Sequence, residues 1–170
     1  MKAFFYSFFM LLAGCSAVKQ PTIPAVTGFD ASRYCGKWYE IARLPNYFEK
    51  DLHHVTAEYS LRPDGKLCVI NSGLKDGRQK SVSGIARFTG DTTSGELEVS
   101  FFRPFYGAYR IICLAPDYSI ACVMGKDRSL AWLLARQPVL PEKKLLAAVN
   151  FLRQNGFAVE NLIYPAQKTE

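Results

Sequence analysis

Histidine is almost absent: the 170-residue chain carries 2, the adjacent pair His53-His54. With Asp51 nearby, that pair reads as a solvated loop rather than a metal or acid–base site. No Gly-x-Ser-x-Gly elbow, His-Glu-x-x-His pair, P-loop or Gly-rich dinucleotide fingerprint occurs, so the usual frames for nucleophilic, metal and nucleotide chemistry are missing. No cofactor and no metal are expected. A bilayer-spanning run is missing as well. The one candidate, "AFFYSFFMLLAG" at residues 3–14, is too short to cross comfortably. Basic residues outnumber acidic ones, 21 to 15, but they do not gather on one helix. Without a nucleic-acid motif, that excess does not argue for a nucleic-acid partner.

What the chain does have begins at its start. Met1-Lys2, the apolar run and Leu12-Ala13-Gly14-Cys15 read as an export signal over residues 1–14. Small residues ahead of a cysteine resemble the lipobox of bacterial lipoproteins. That resemblance implies cleavage before Cys15 and its modification by lipid (palmitate). Ser16 in place of Asp implies sorting to the outer membrane. Residues 15–28 then form the lipidated N-terminus and a tether rich in small and polar residues, and the folded domain spans 29–170. Two acyl chains suffice for stable anchoring, at about 0.8 kcal/mol per buried methylene.

With Cys15 taken by lipid, Cys35, Cys68, Cys113 and Cys122 remain. An even count in an oxidising compartment favours disulfides, and the absence of a CxxC spacing argues against zinc. Cys113 and Cys122 are symmetric about the turn at Asp117-Tyr118. They are the favoured pair, with Cys35 and Cys68 as the second; other pairings remain open.

Short runs rich in Val, Ile, Tyr and Phe recur between residues 36 and 138. They read "GKWYEIAR", "HVTAEYSLR", "LCVINSGL", "SVSGIARF", "ELEVSFF", "AYRIICLA", "IACVMG" and "LAWLLARQP". Turn signals separate them and no helix intervenes. That excludes parallel βαβ units and predicts an eight-stranded, up-and-down antiparallel sheet closed into a barrel. An all-β fold with one C-terminal helix follows, since Pro141 and Gly156 bracket a helical spacing of Leu145, Ala148, Val149 and Leu152. The helix is expected to pack outside the barrel, followed by a short strand in "AVENLIY".

Eight strands and a helix, opened by Gly36-Lys37-Trp38, resemble the lipocalins, and among them the bacterial outer-membrane lipocalin lipoproteins. Asp117-Tyr118, after Pro116 where threonine is common, and Arg136 supply the two further signatures. The likeness implies that Gly36, Trp38, Asp117, Tyr118 and Arg136 meet at one closed end, with Arg136 across the indole by cation–π contact. These residues are structural rather than ligand contacts.

The loops 44–54, 74–80, 103–107 and 125–129 then ring the open mouth. They carry Tyr47, Phe48, Phe105 and Tyr106, and more basic residues than acidic ones. Alternation predicts an interior of Glu40, Ala42, Trp132 and Leu134; Val55, Ala57, Tyr59 and Leu61; Gly84, Ala86 and Phe88; Leu97, Val99 and Phe101; and Tyr109 and Ile111. Small residues among them favour a cavity over a packed core. The resemblance adds Tyr106 and Trp132 as ligand contacts. The candidate ligand site is therefore Trp132, Tyr106, Tyr59, Phe88, Phe101, Tyr109 and Leu134, with Arg103 for a head group.

The family implies a fatty acid or lysophospholipid as ligand, the membrane as partner through the anchor, and leaves room for a homodimer. The expected function is a lipid-binding carrier for storage, transport or maintenance, without enzymatic activity. The alternatives are a lipocalin-like enzyme acting on a bound hydrophobe and an interaction module at the envelope.

Overall fold

The computed structural model describes residues 22–167. Cys15, the signal over 1–14 and the first part of the tether lie outside the described residues. A short helix α1 (Ala31–Tyr34) precedes eight strands: β1 (Gly36–Arg43), β2 (His53–Leu61), β3 (Leu67–Lys75), β4 (Arg78–Phe88), β5 (Glu96–Phe102), β6 (Phe105–Leu114), β7 (Ile120–Met124) and β8 (Ala131–Ala135). Each pairs antiparallel with its neighbour in chain order, and β8 returns to β1. The barrel is closed, so among the described residues no edge strand is left to pair with another chain.

Apolar residues form two layers. The inner one fills the barrel around Trp38, Tyr59, Leu67, Val69, Ile111 and Leu134. The outer one lies between β1, β7 and β8 and helix α2 (Glu142–Gln154), where Ile41, Leu133, Ala148 and Leu152 meet. Each fully buried aliphatic side chain in that seam contributes about 1.5–3 kcal/mol. Helix α2 starts directly after Pro141, and Gly156, at φ +81°, takes the left-handed turn past its end.

Bulges in β1 and β6, two of the four register shifts in the barrel, change which side chains look inward. In β1, Glu40 faces Leu134 and Ala42 faces Leu133, so an extra residue sits between them. Parity flips there. Ala42, expected inside, joins the outer layer, and Arg43, opposite Trp132, turns inward. In β6 the same device places Ile111 inside and Ile112 and Cys113 against the outer layer. Leu61, also expected inside, is 54% exposed at the end of β2. It lies past the last ring of packed side chains.

The segment after α2 is not the expected strand. It forms a single turn of 3-10 helix at Val159–Asn161 and one bridge, Ile163 to Arg43. The reason is the edge available. β1 and β2 part beyond Tyr39–Thr56, and the amide of Gln167 enters the wedge, donating to the carbonyls of Glu40 and Val55. Little free backbone remains for a longer ladder.

At the closed end Trp38 is fully buried and donates through Nε1 to the carbonyl of Tyr34 at 2.8 Å. The Arg136 guanidinium lies 4.0 Å over its ring. It also donates to the carbonyls of Arg33, Tyr34, Cys35, Lys37 and Tyr118. Gly36 has φ +92°, and a Cβ there would meet Arg136 Nη1 at 3.3 Å, so both its conformation and its neighbour favour glycine. Asp30 caps α1 by accepting from Ser32 and Arg33, and its own N–H donates to the Tyr118 hydroxyl at 2.8 Å. Asp117 holds the β6–β7 turn through Ser119.

Candidate functional site

The lumen has a floor, a wall and an inner mouth. Tyr34, Tyr59 and Tyr109 form the floor, with the Tyr109 hydroxyl bonded to Tyr34 at 2.7 Å and to Tyr59 at 2.8 Å. Burial pushes all three phenols above their ordinary range, so they stay protonated. Phe88 lies below this layer, edge-on to Phe29 at 6.1 Å. Phe88 is therefore part of the plug rather than a ligand contact.

The wall is Leu134, Val69, Ala57, Val99 and Phe101, with Trp132 above them. Gly84 does not leave empty space. A Cβ there would stand 2.7 Å from the Phe101 ring, so the glycine makes room for that ring. Higher on β4, Val82 is in register with Asn71 and shares the inward parity of Gly84, yet is 36% exposed. Solvent therefore reaches Val82 at that height. Asn71 Oδ1 is buried without a hydrogen-bond partner. An orphan acceptor facing the lumen is a ready contact for a ligand hydroxyl or amide.

The inner mouth is charged; alternation places Glu40 there but neither Arg43 nor Glu49. Arg43, turned in by the bulge, donates to Glu40 Oε1, and both side chains are almost fully buried. Arg43 also donates to the Glu49 carbonyl. The Glu49 carboxylate, brought in by the β1–β2 loop, accepts from Trp132 Nε1 at 2.8 Å and from Asn46. Burial, with the nearby Glu49 charge, outweighs Arg43 and raises the Glu40 carboxyl to about 8. Trp132 is thus both a lumen wall and the latch of the β1–β2 loop.

Tyr106 is not in the lumen. It lies three residues from inward-facing Tyr109, hence on the opposite face, and its ring stacks 4.0 Å under Arg87 outside the barrel. Arg103 stands at the β5–β6 turn on the rim, between exposed Phe102 and Phe105. A cleft of about 650 Å³ lies outside the barrel, between the β1–β2 loop and the tail, lined by Tyr47, Leu52, Tyr164 and Pro165 among others.

Cys35, Cys68, Cys113 and Cys122 are all free thiols in the structure. Cys113 and Cys122 are directly opposed across β6 and β7. Their mutual hydrogen bond lowers Cys113 to about 7 and pushes Cys122 up. The expected bridge between Cys35 and Cys68 meets an obstacle. Cys35 precedes Gly36, which pairs with Tyr59 on one side of β2, and Cys68 pairs with Ser60 on its other side. Two strand spacings, about 9.5 Å, exceed the reach of about 7 Å that a disulfide allows.

Residues 29–167 match the family model of a lipocalin-like domain. The outer membrane lipoprotein Blc of Citrobacter freundii is 42% identical over 160 residues, covering 92% of this chain and 90% of that protein. That of Vibrio cholerae is 40% identical over 162 residues, covering 94% of each. Among solved structures, insecticyanin from the tobacco hornworm Manduca sexta superposes with a TM-score of 0.72 at 22% identity, covering 88% and 86% of the two chains. That last likeness concerns the fold alone.

Proposed function

The chain belongs to the lipocalin family, and from that premise we propose that it is a carrier holding one acyl chain of a fatty acid or lysophospholipid in the barrel. Lipocalins are generally binding proteins for small hydrophobic ligands, and relatives at 40–42% identity are outer membrane lipoproteins, so the outer membrane is its location. Cys15 is the anchor in this reading, and the carrier serves lipid transport or maintenance.

One observation carries the ligand class: an apolar wall opening at Val82 and ending on the tyrosine floor, within a barrel whose other end is plugged. Each Å² of apolar chain buried there contributes about 25 cal/mol. The head group stays at the rim, where Arg78, Lys80 and Arg103 stand. The Glu49 carboxylate below them disfavours an anion any deeper. Arg128 is less free to serve, because its Nε donates to the Asn155 carbonyl.

A titration tests the reading. A long-chain fatty acid should bind more tightly than the alcohol of equal length, and salt should narrow the gap. Arg78→Glu with Arg103→Glu should weaken the acid and spare the alcohol, whereas Trp132→Ala should weaken both. Equal binding of acid and alcohol at low salt would remove the rim from the mechanism. No binding of either would remove the carrier. Conversion of the bound lipid to a new product would point to an enzyme instead.

A further inference from the structure

We propose that the mouth of the barrel docks on an anionic lipid bilayer, so that the lumen opens into the lipid rather than into water. The proposal takes from the reading above only that Cys15 sits in a membrane. Three observations carry it.

First, Tyr47, Phe48, Phe102 and Phe105 are 87%, 85%, 71% and 78% exposed. They are the four most exposed large hydrophobic side chains among the described residues, and all stand at this one end. Singly such residues need no explanation, but four at one opening do. Aromatic rings suit the boundary between head groups and acyl chains.

Second, the strand order alternates chemistry around the mouth. The β1–β2 loop carries Tyr47 and Phe48, and the β5–β6 turn across the barrel carries Phe102 and Phe105. Between them come the β3–β4 turn with Arg78 and Lys80 and the β7–β8 loop with Lys126. Among the described residues, Lys50, Arg78, Lys80, Arg103 and Lys126 make no ion pair. The β3–β4 turn also holds a notch of about 430 Å³ lined by Lys75, Asp76, Arg78 and Lys80, a size and charge that suit a phosphate head group. A second copy fits poorly, because two cationic rims would meet.

Third, the chain leaves at this end. Phe29 lies under the closed end, bonded to Thr93, and Val26 bonds to Ile111 and Gly95 on the flank. Ile23 then joins the outer layer, and its carbonyl accepts from Arg110, which pairs with Met124, the last residue of β7 before the mouth loop. Seven residues lead from Cys15 to Thr22, a reach of at most about 25 Å. An anchor that short, leaving beside the rim, keeps the mouth facing the bilayer.

The test uses the lipidated protein in vesicles of phosphatidylcholine and phosphatidylglycerol, with Phe48→Trp, Phe105→Trp and, at the closed end, Leu61→Trp. Acyl-brominated lipids should quench the two mouth probes several-fold more than the Leu61→Trp probe. Equal or absent quenching, in protein whose N-terminal peptide carries acyl chains, overturns the docking. If that peptide carries none, the anchor has failed, and docking is judged on the Cys15→Ser chain alone. That chain should sediment with phosphatidylglycerol vesicles at least about tenfold more tightly than with phosphatidylcholine at low salt. Combining Tyr47→Ser and Phe48→Ser should abolish most of that binding. Equal partition to the two vesicles overturns the proposal in this arm.

Discussion

Glu40→Gln separates two forces that meet in one buried pair. Glu40 is 2% exposed and bonded to Arg43, yet its carboxyl is raised from 4.5 to about 8, because burial and Glu49 outweigh the arginine. The sign follows from which state holds the proton. Below about pH 4.5 the folded and unfolded chains both carry it. Between that value and about 8 the unfolded chain gives it up and the folded one keeps it, so stability falls as pH rises through this window. Each pH unit costs about 1.4 kcal/mol, which sums to about 5 kcal/mol across the window. Glutamine has no proton to lose. Urea denaturation at half-unit steps from pH 5 to 9 should therefore show wild type losing ground to the variant up to about pH 8 and running parallel above it. Other groups that titrate in this range, Cys113 among them, appear in both proteins and drop out of the difference. A difference that does not change with pH would mean that Arg43 keeps Glu40 ionised and that the burial argument is wrong.

At the closed end, Trp38→Ala should cost about 3–5 kcal/mol. A double-mutant cycle with Arg136→Ala should show coupling, whereas additive losses would contradict the 4.0 Å stacking. Mild oxidation should join Cys113 to Cys122, since directly opposed strand residues lie within disulfide reach. Unreduced peptide mapping should then find no Cys35–Cys68 link. Gly84→Ala should destabilise by about 1–3 kcal/mol, because the added methyl overlaps the Phe101 ring and the Ser100 carbonyl. An unchanged midpoint would mean that Phe101 can leave, and that the lumen is roomier than it stands.

Strand number and barrel closure were legible because turn residues mark every strand end and no helix breaks the series. The closed end was legible for a different reason. Trp38, Tyr118 and Arg136 are large or charged, and each has one place where its bonds can be met. The inner mouth was not legible, because one inserted residue in β1 reverses the alternation, turning Ala42 out and Arg43 in. Nothing in "WYEIAR" announces that insertion. Glu49 was hidden similarly, since loop residues have no period from which a direction can be read. Tyr106 is the opposite case. Its distance of three from Tyr109 placed it outside, and the resemblance to related proteins overrode that parity. Asn71 could have been found by alternation along β3, but no inward residue was assigned on that strand.

The latch formed by Arg136 also bears on the order in which the chain folds. Its guanidinium gathers carbonyls from residues 33 to 37, and Tyr39 pairs with Ala135, so the ends of the sheet that must meet are roughly a hundred residues apart in sequence. Every hairpin from β1 to β8 is local and can form early, whereas the final seam carries the whole loop-closure entropy. Until β8 arrives, β1 presents an open edge, and Trp38 has no cation over its ring. A chain delivered from its N-terminus therefore remains an unclosed sheet until nearly all of it has emerged. Substitutions at Arg136 should slow folding as well as weaken the product if the seam forms in the transition state, and should only speed unfolding if it forms afterwards.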